Sequence, residues 1–195
     1  MVEKTLDERF VECVQRALQS MQAARLEGKY IWGREKIDAG KGLQFSEAGF
    51  RDSLFQEMMR DKREGEWIGC EASYPEGNYH VDIAYDCEDV SKPLFRKPVE
   101  IKLWHADGGG SKSTAAVIED IKKLKTYAPD NPSIQPAVLV VASSFGNLET
   151  CLKNLSDKFL DKSTEIPKNR EAYLSSGCDH CGKDKICAAL IRVLR

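Results

Sequence analysis

Two alternating segments between residues 79 and 104 set the strongest limits on how this chain can fold. In residues 79–85 and again in residues 99–104, apolar and polar side chains follow one another in turn. This alternation is typical of β-strands that bury one face. The sequence therefore predicts two consecutive strands joined by a polar connection. Their expected inward-facing side chains are Val81, Ile83 and Tyr85 in the first strand, and Val99, Ile101 and Leu103 in the second.

Three side chains on these strands are the first candidates for an active site. Glu100 and Lys102 project from the same face of the second strand, because strand side chains alternate between faces. A neighbouring strand can bring Asp82 to them. Two carboxylates and an ammonium group on one sheet favour a divalent-metal site. The alternative is an exposed Glu100–Lys102 pair with no function, which would contribute little to stability.

The remaining segments predict an α/β domain. Thr5 and Glu8 form a capping-box pattern before the first helix, and Ser46 can cap a second helix. Helices are predicted over residues 6–28, 46–59, 114–127 and 145–160, and strands over residues 67–72, 79–85, 99–104 and 136–142. This order indicates a central mixed sheet flanked by helices. We expect an N-terminal helical extension in residues 1–45, a core in residues 46–160 and a cysteine-containing tail in residues 161–195.

Length and composition narrow the class of protein. A chain of 195 residues is long enough for one domain with a substantial core. No apolar run approaches the ~20 residues of a membrane span, and no basic region followed by an apolar stretch opens the chain. Seven cysteines, an odd number, argue against an extracellular disulfide framework. These features predict a cytoplasmic protein without a membrane partner.

The charge distribution indicates where an anionic partner would bind. The net charge is -2, yet residues 92–125 carry 8 Lys and Arg against 4 Asp and Glu. This basic segment surrounds Glu100 and Lys102. A nucleic-acid-binding protein need not be basic overall if its contact face is basic. A solvated surface with uneven charge is the equally simple alternative.

The arrangement of Asp82, Glu100 and Lys102 resembles the motif of the PD-(D/E)xK nuclease superfamily, which has the restriction-endonuclease-like fold. The similarity covers residues 46–142 and departs from the family motif at Val81, which stands where a proline often precedes the aspartate. The resemblance implies that Asp82 and Glu100 bind Mg²⁺ or Mn²⁺ and that Lys102 orients or activates the attacking water. It also implies a glutamate from the preceding helix, for which Glu47 is the first choice and Glu57 the second.

The resemblance also implies residues that bind nucleic acid. Lys112, Lys122 and Lys123 lie on or before the helix predicted after the motif, where basic side chains can follow a phosphate backbone. Lys123 and Tyr127 are four residues apart, similar to the Gln-x-x-x-Tyr element of RecB-like nucleases with lysine in place of glutamine. A plain amphipathic helix explains this spacing equally well.

A second group of candidates lies near the end of the chain. Cys178, Cys181 and Cys187 are similar to the C-terminal part of the iron–sulfur site in some RecB-like and CRISPR-associated exonucleases. Such a site takes its fourth thiolate from far upstream, here Cys13 or Cys70, and thiolates also bind zinc. Alternatively, residues 186–194 form an amphipathic helix in which Cys187 is simply buried.

Together these features predict a metal-dependent nuclease that hydrolyses phosphodiester bonds, with DNA as the expected substrate. The alternative is a catalytically inactive module of the same fold that binds nucleic acid or a protein partner. Three intact motif residues favour the enzyme, because an inactive module has no need of all of them.

Overall fold

The fold is described here from a computed structural model. It describes residues 4–27, 30–31, 43–44, 46–74, 79–87, 94–104, 111–127, 130–158, 164–167, 173–175 and 185–194. The helices are α1 (Leu6–Leu26), α2 (Glu47–Asp61), α3 (Ser111–Lys125) and α4 (Phe145–Ser156). The strands are β1 (Tyr30–Ile31), β2 (Leu43–Gln44), β3 (Ile68–Ser73), β4 (His80–Cys87), β5 (Phe95–Trp104), β6 (Ala137–Ala142), β7 (Thr164–Glu165), β8 (Leu174–Ser175) and β9 (Cys187–Val193).

A mixed sheet of seven strands forms the centre of the described structure. Its order is β3-β4-β5-β6-β9-β7, with β8 also paired to β9. The β5–β6 pair is parallel, whereas β3–β4, β4–β5 and β6–β9 are antiparallel. Helix α3 lies in the crossover between the two parallel strands, as a parallel connection requires. The predicted α/β class with a central mixed sheet is therefore confirmed.

Helices cover both faces of this sheet. α1 and α2 pack on one face, and α3 and α4 pack on the other. Buried residues of the first layer include Phe10, Leu18, Phe50, Leu54, Ile83, Ile101 and Leu139. Buried residues of the second layer include Trp104, Val117, Ile121, Leu124, Val138, Val140 and Leu148. Because β6 lies between both layers, all of its residues are buried, as its unbroken apolar run predicts.

The N-terminal ends of α1 and α2 follow the predicted capping chemistry. The Thr5 hydroxyl accepts a hydrogen bond from the Glu8 amide at 3.2 Å, and the Glu8 carboxylate accepts one from the Thr5 amide at 2.7 Å. The Ser46 hydroxyl accepts from the Gly49 amide at 3.0 Å. Each cap satisfies an amide that the first helical turn leaves without a partner. Through the second cap, Glu47 begins α2 at a fixed place beside β5.

One predicted strand face is only partly correct. Ile83 and Tyr85 pack on the α1–α2 side, but Val81 packs on the α3–α4 side. Asp82 lies between Val81 and Ile83, and its carboxylate reaches the Ile101 amide of the neighbouring strand. The alternation is therefore interrupted where Asp82 turns toward β5. This interruption is the structural origin of the candidate site.

The predicted amphipathic helix over residues 186–194 is wrong. This segment contains β9, which pairs with β6 from Ala137–Arg192 to Ala142–Cys187. β6 is a fully apolar strand whose second edge needs a partner, so pairing overrides the helical spacing. β9 consequently lies inside the sheet of the core, beyond the boundary that we predicted at residue 160. Among the described residues, no helix is long and apolar enough to cross a membrane.

Candidate active site

The candidate site lies where β4 and β5 separate. The two strands pair from Cys87–Phe95 to Ile83–Val99, after which β5 continues beside β6 as far as Trp104. Two amides of β5 that face the gap are satisfied by side chains. The Ile101 amide donates to Asp82 Oδ2 at 2.8 Å, and the Leu103 amide donates to Glu47 Oε1 at 3.3 Å. Carboxylates thus replace the missing strand and are fixed in place by the backbone.

Lys102 is held between two carboxylates. Its Nζ lies 3.1 Å from Asp120 Oδ2 and 3.3 Å from Glu47 Oε2. Burial disfavours the charged form of Lys102, but the carboxylates of Asp120 and Glu47 outweigh it and raise its pKa. Lys102 is therefore an ammonium group that donates hydrogen bonds. It is not suited to act as a general base in this state.

Glu100 is a buried carboxylate with unused hydrogen-bonding capacity. Its side chain is buried, with the residue only 5% exposed, and Oε1 has no hydrogen-bond partner in the described part of the chain. Lys123 Nζ lies 3.8 Å from that oxygen. Burial, followed by the charges of Asp82 and Asp120, raises the pKa of Glu100 to about 8. A buried oxygen without a partner is costly, so this position favours a bound cation or proton.

Asp82 has a cation on its other side. Arg51 Nη1 lies 3.5 Å from Asp82 Oδ1 and 2.7 Å from Glu71 Oε1. Glu71 has a φ of 51°, the left-handed conformation that non-glycine residues seldom adopt. The strained Glu71 backbone and the Arg51 guanidinium therefore both lie beside the site, at the β3 edge.

Two residues of the site escape the motif-based prediction. Asp120 of α3 is 4% exposed and pairs with Lys102 and, at 3.2 Å, with Lys123. Its signal is its position in the inward-facing stripe of the predicted helix, beside Ile121. In the sequence, Asp120-Ile121-Lys122 is also one of two further Asp/Glu-x-Lys matches, beside Glu27-Gly28-Lys29, but it lies in a predicted helix and not on a strand.

Tyr74 is the other residue that sequence reasoning missed. It follows β3, is buried, and its hydroxyl has no hydrogen-bond partner among the described residues. Burial raises the pKa of Tyr74, and the charges of Glu100 and Asp120 raise it further. Its phenol is thus a neutral donor near the buried carboxylates. No sequence pattern identifies it, because its role depends on a contact between distant segments.

The predicted site residues are brought together to different degrees. Asp82, Glu100, Lys102 and Glu47 converge at the strand separation. The second-choice glutamate, Glu57, instead pairs with Arg16 at 2.9 Å in the α1–α2 interface. That position leaves Glu47 as the glutamate of the helix that reaches Lys102.

The residues predicted to bind nucleic acid also differ in how exposed they are. Lys122 is exposed on α3, and Lys123 is half-buried beside Glu100. Lys112 lies in the first turn of α3, but its side chain is outside the described residues. Tyr127 is fully buried, with its ring 4.9 Å from that of Tyr74. The Tyr127 ring therefore packs in the core, and its contact with nucleic acid stays a prediction.

The predicted cysteine cluster is only partly described. Cys178 and Cys181 lie outside the described residues. Cys187 lies in β9, fully buried, and burial raises its pKa to about 12. Of the proposed upstream partners, Cys13 is buried in α1 with its Sγ 3.7 Å from Asp61, and Cys70 lies in β3. A protonated thiol inside a sheet is a poor metal ligand, so Cys187 in this position fits packing.

The donor atoms of the site determine whether it can hold a divalent cation. Within the described ranges, no three His, Cys, Asp or Glu side chains are arranged to hold one ion. Asp82 and Glu100 are mutually repelling carboxylates, and Glu100 has an oxygen without a partner. Mg²⁺ commonly takes one or two protein carboxylates and keeps several waters. This pair fits such an ion.

Comparisons with known proteins gave no relatives. Neither the protein-family models, nor the curated proteins, nor the solved structures yielded a match to this chain.

Proposed function

We propose that this protein is a metal-dependent nuclease that hydrolyses phosphodiester bonds, with a core of the PD-(D/E)xK type and DNA as its substrate. One observation carries the proposal. Asp82, Glu100 and Lys102 meet at the point where β4 and β5 separate, and Asp82 is fixed there by the Ile101 amide. A pair of exposed, functionless charges would need neither the burial of Glu100 nor the break in strand alternation.

Asp82 and Glu100 would hold the metal, Mg²⁺ or Mn²⁺. Such an ion, when bound, lowers the pKa of water and neutralises charge that develops on the phosphate. The protein's contribution is to hold two carboxylates close together before the ion arrives, against their repulsion. The Ile101 amide does this for Asp82, and the surrounding core does it for Glu100.

Lys102 provides the hydrogen-bond donor of the site. Because its pKa is raised, it stays charged at neutral pH and can donate to the attacking water or to a phosphate oxygen. Glu47 and Asp120 restrict its position from two sides. A fixed donor contributes more than a mobile one, because little reorganisation remains at the moment of reaction.

The basic residues of α3 would contact the nucleic-acid backbone. Lys123 lies next to Glu100, close enough to bind the phosphate that is attacked. Lys122 is exposed one residue earlier and can bind a neighbouring phosphate. Such contacts position a strand without reading its sequence.

A catalytically inactive module that binds nucleic acid is the second candidate. The observation in its favour is that Lys102, Lys123 and Arg51 already lie close to the carboxylates, so the charges are largely compensated without metal. The absence of a three-ligand group among the described residues points the same way.

Cleavage assays separate the two candidates. Purified protein is incubated with single-stranded and duplex DNA and RNA, with Mg²⁺, Mn²⁺ or a chelator, beside Lys102→Ala. The proposal expects cleavage only with metal and only by the wild type. Binding without cleavage under every condition would favour the inactive module. Cleavage that persists in Lys102→Ala would indicate a contaminating nuclease or a different site.

A further inference from the structure

An exposed aromatic ring packs against Tyr74, the buried tyrosine of the candidate site. Tyr79, just before β4, is 57% exposed. Its ring meets that of Tyr74 edge-on, with centroids 5.8 Å apart, and the Tyr74 amide donates to the Tyr79 carbonyl at 2.8 Å. Tyr74 in turn meets the Tyr127 ring at 4.9 Å. Three rings thus lead from the core to the surface, and only the last is open to solvent.

This chain of rings passes directly beside the site. The charges of Glu100 and Asp120 contribute to the raised pKa of Tyr74, the middle ring. Tyr79 therefore packs on the ring whose hydroxyl is influenced by Glu100, one of the two carboxylates that would hold the metal. Its backbone is fixed on both sides, by the Tyr74 amide and by the start of β4.

An exposed ring in this position can stack on an unpaired base. Aromatic side chains bind single strands by stacking on the bases, and each such contact contributes substantially whatever the base. A paired base in a duplex is stacked on both faces and must be flipped out before it can do so. Lys122 and Lys123 supply the cations that the adjoining phosphates need.

We propose that Tyr79 is a stacking platform for an unpaired base adjacent to the phosphodiester bond at the Asp82–Glu100 site, so that the substrate is single-stranded nucleic acid. The inference rests on the proposed function for the location of the scissile bond. The stacking itself is tested without any cleavage.

The test measures binding in a Lys102→Ala background, where cleavage does not interfere. Fluorescence anisotropy gives the Kd of a labelled 12-nucleotide single strand, as DNA and as RNA, and of the matching duplex. Tyr79→Ala removes the ring, and Tyr79→Phe keeps it. Trp67→Ala is the control, because Trp67 is 45% exposed but precedes Ile68 at the opposite end of β3.

We expect Tyr79→Ala to weaken single-strand binding about 5- to 150-fold, the loss of one base–aromatic contact. Tyr79→Phe and Trp67→Ala should bind within about twofold of the background protein. An abasic site moved along the strand should weaken binding at one position, and that penalty should vanish in Tyr79→Ala. DNA and RNA strands that respond alike would place the recognition in the base rather than in the sugar.

Two results would overturn the inference: unchanged Kd values for Tyr79→Ala, or binding in which the duplex is preferred and no abasic position matters. These outcomes do not depend on catalysis. If the ring-dependent binding is found but the wild type cleaves nothing, the stacking platform stands and the proposed hydrolase fails. If the wild type cleaves but Tyr79→Ala binds and cleaves equally well, the hydrolase stands and the platform fails.

Discussion

Asp82 of β4 accepts a hydrogen bond from the Ile101 amide of β5 at 2.8 Å. A side chain here takes the place that the backbone of β4 holds two residues earlier, where Val99 pairs with Ile83. The same substitution recurs at Leu103, where Glu47 of α2 accepts the amide. The opening between the strands is therefore not a defect in the sheet. It positions two carboxylates, and it leaves Glu100 and Lys102 facing a space that α3 lines from the other side.

The first prediction concerns the three motif residues. Asp82→Asn, Glu100→Gln and Lys102→Ala should each lower metal-dependent cleavage at least about 100-fold, because each removes a charge used when the phosphate is attacked. Combined substitutions should cost little more than single ones, since the three act as a unit. Initial rates on a labelled oligonucleotide measure the effect. Glu165→Gln, remote and exposed, is the matched control, and full activity in any of the three motif variants would contradict the assignment.

The sequence predicted the layers of this fold well where patterns are local. Caps at Thr5 and Ser46, the alternating strands and the apolar β6 all have signals within a few residues. The strand formed by residues 187–193 could not be predicted in this way. Their spacing suits a helix, but the free edge of β6 decides the outcome, and that edge is nearly 50 residues away along the chain.

The candidate site, like the fold, could be predicted from the sequence only where its residues have local signals. Asp82, Glu100, Lys102 and Glu47 have recognisable positions on strands and at a helix start, and the structure brings them together. Asp120 and Tyr74 have no recognisable sequence signal of this kind, because their importance comes from burial beside Lys102 and Glu100 and not from spacing.

The second prediction concerns Asp120. Asp120→Asn removes the charge that compensates Lys102 and Lys123, at 3.1 and 3.2 Å. Loss of one partner in such buried contacts should lower the free energy of unfolding by about 1–3 kcal/mol. Relief of the repulsion with Glu100 opposes this loss, but we expect the lost contacts to dominate, because Asp120 contacts both lysines directly. Urea denaturation at pH 7 measures the change. A variant as stable as the wild type would show that Asp120 is no anchor for the lysines.

The third prediction concerns Cys187. Burial raises its pKa to about 12, and its Sγ lies 3.9 Å from the Ala142 carbonyl inside the sheet. We expect iodoacetamide at pH 8 to leave Cys187 unmodified in the native protein and to label it after denaturation, because only the thiolate reacts. Peptide mass spectrometry provides the measurement, and the partly exposed Cys70 is the internal comparison. Rapid labelling of native Cys187 would place it outside the sheet.

Elemental analysis of the same protein tests the predicted cysteine site directly. Zinc or a brown colour that is present in the wild type and lost in Cys178→Ser would indicate a bound metal or cluster. In that case either Cys187 would have to lie outside β9 or a different thiol would have to be the third ligand. A metal-free protein would leave only the packing role for Cys187.

The fourth prediction is a pH dependence of stability in chelator. Folding raises the pKa of Glu100 to about 8, because the group is buried beside Asp82 and Asp120, whereas an unfolded glutamate ionises near its ordinary 4.3. Between these values the folded state holds a proton that the unfolded state has lost. The free energy of unfolding should therefore fall as pH rises through this window, by up to ~1.4 kcal/mol per unit, and level off above it.

Glu100→Gln tests the origin of that slope. The variant should match the wild type below about pH 4, where Glu100 is neutral in both the folded and the unfolded state, and exceed it near pH 8. Urea denaturation at four pH values is sufficient, with Glu165→Gln as the exposed control. If the wild type and Glu100→Gln give parallel curves, another group is responsible for the dependence.

The last prediction uses stability to test the metal site without substrate. A ligand that binds only the folded state stabilises it by about 1.4 kcal/mol at ten times its Kd. For a domain of this size, Mn²⁺ should then raise the Tm of the wild type by roughly 3–6 °C. Glu100→Gln lacks the carboxylate with the free oxygen, so its Tm should respond little. The lead of the variant over the wild type at pH 8 should therefore be largest in chelator and should narrow in Mn²⁺, because only the wild type gains stability from the ion. Scanning calorimetry of both proteins, with Ca²⁺ as a second ion and Glu165→Gln as the control, makes this comparison. An equal Mn²⁺ response in wild type and Glu100→Gln would mean that Glu100 is not a ligand, and the nuclease proposal would lose its metal site.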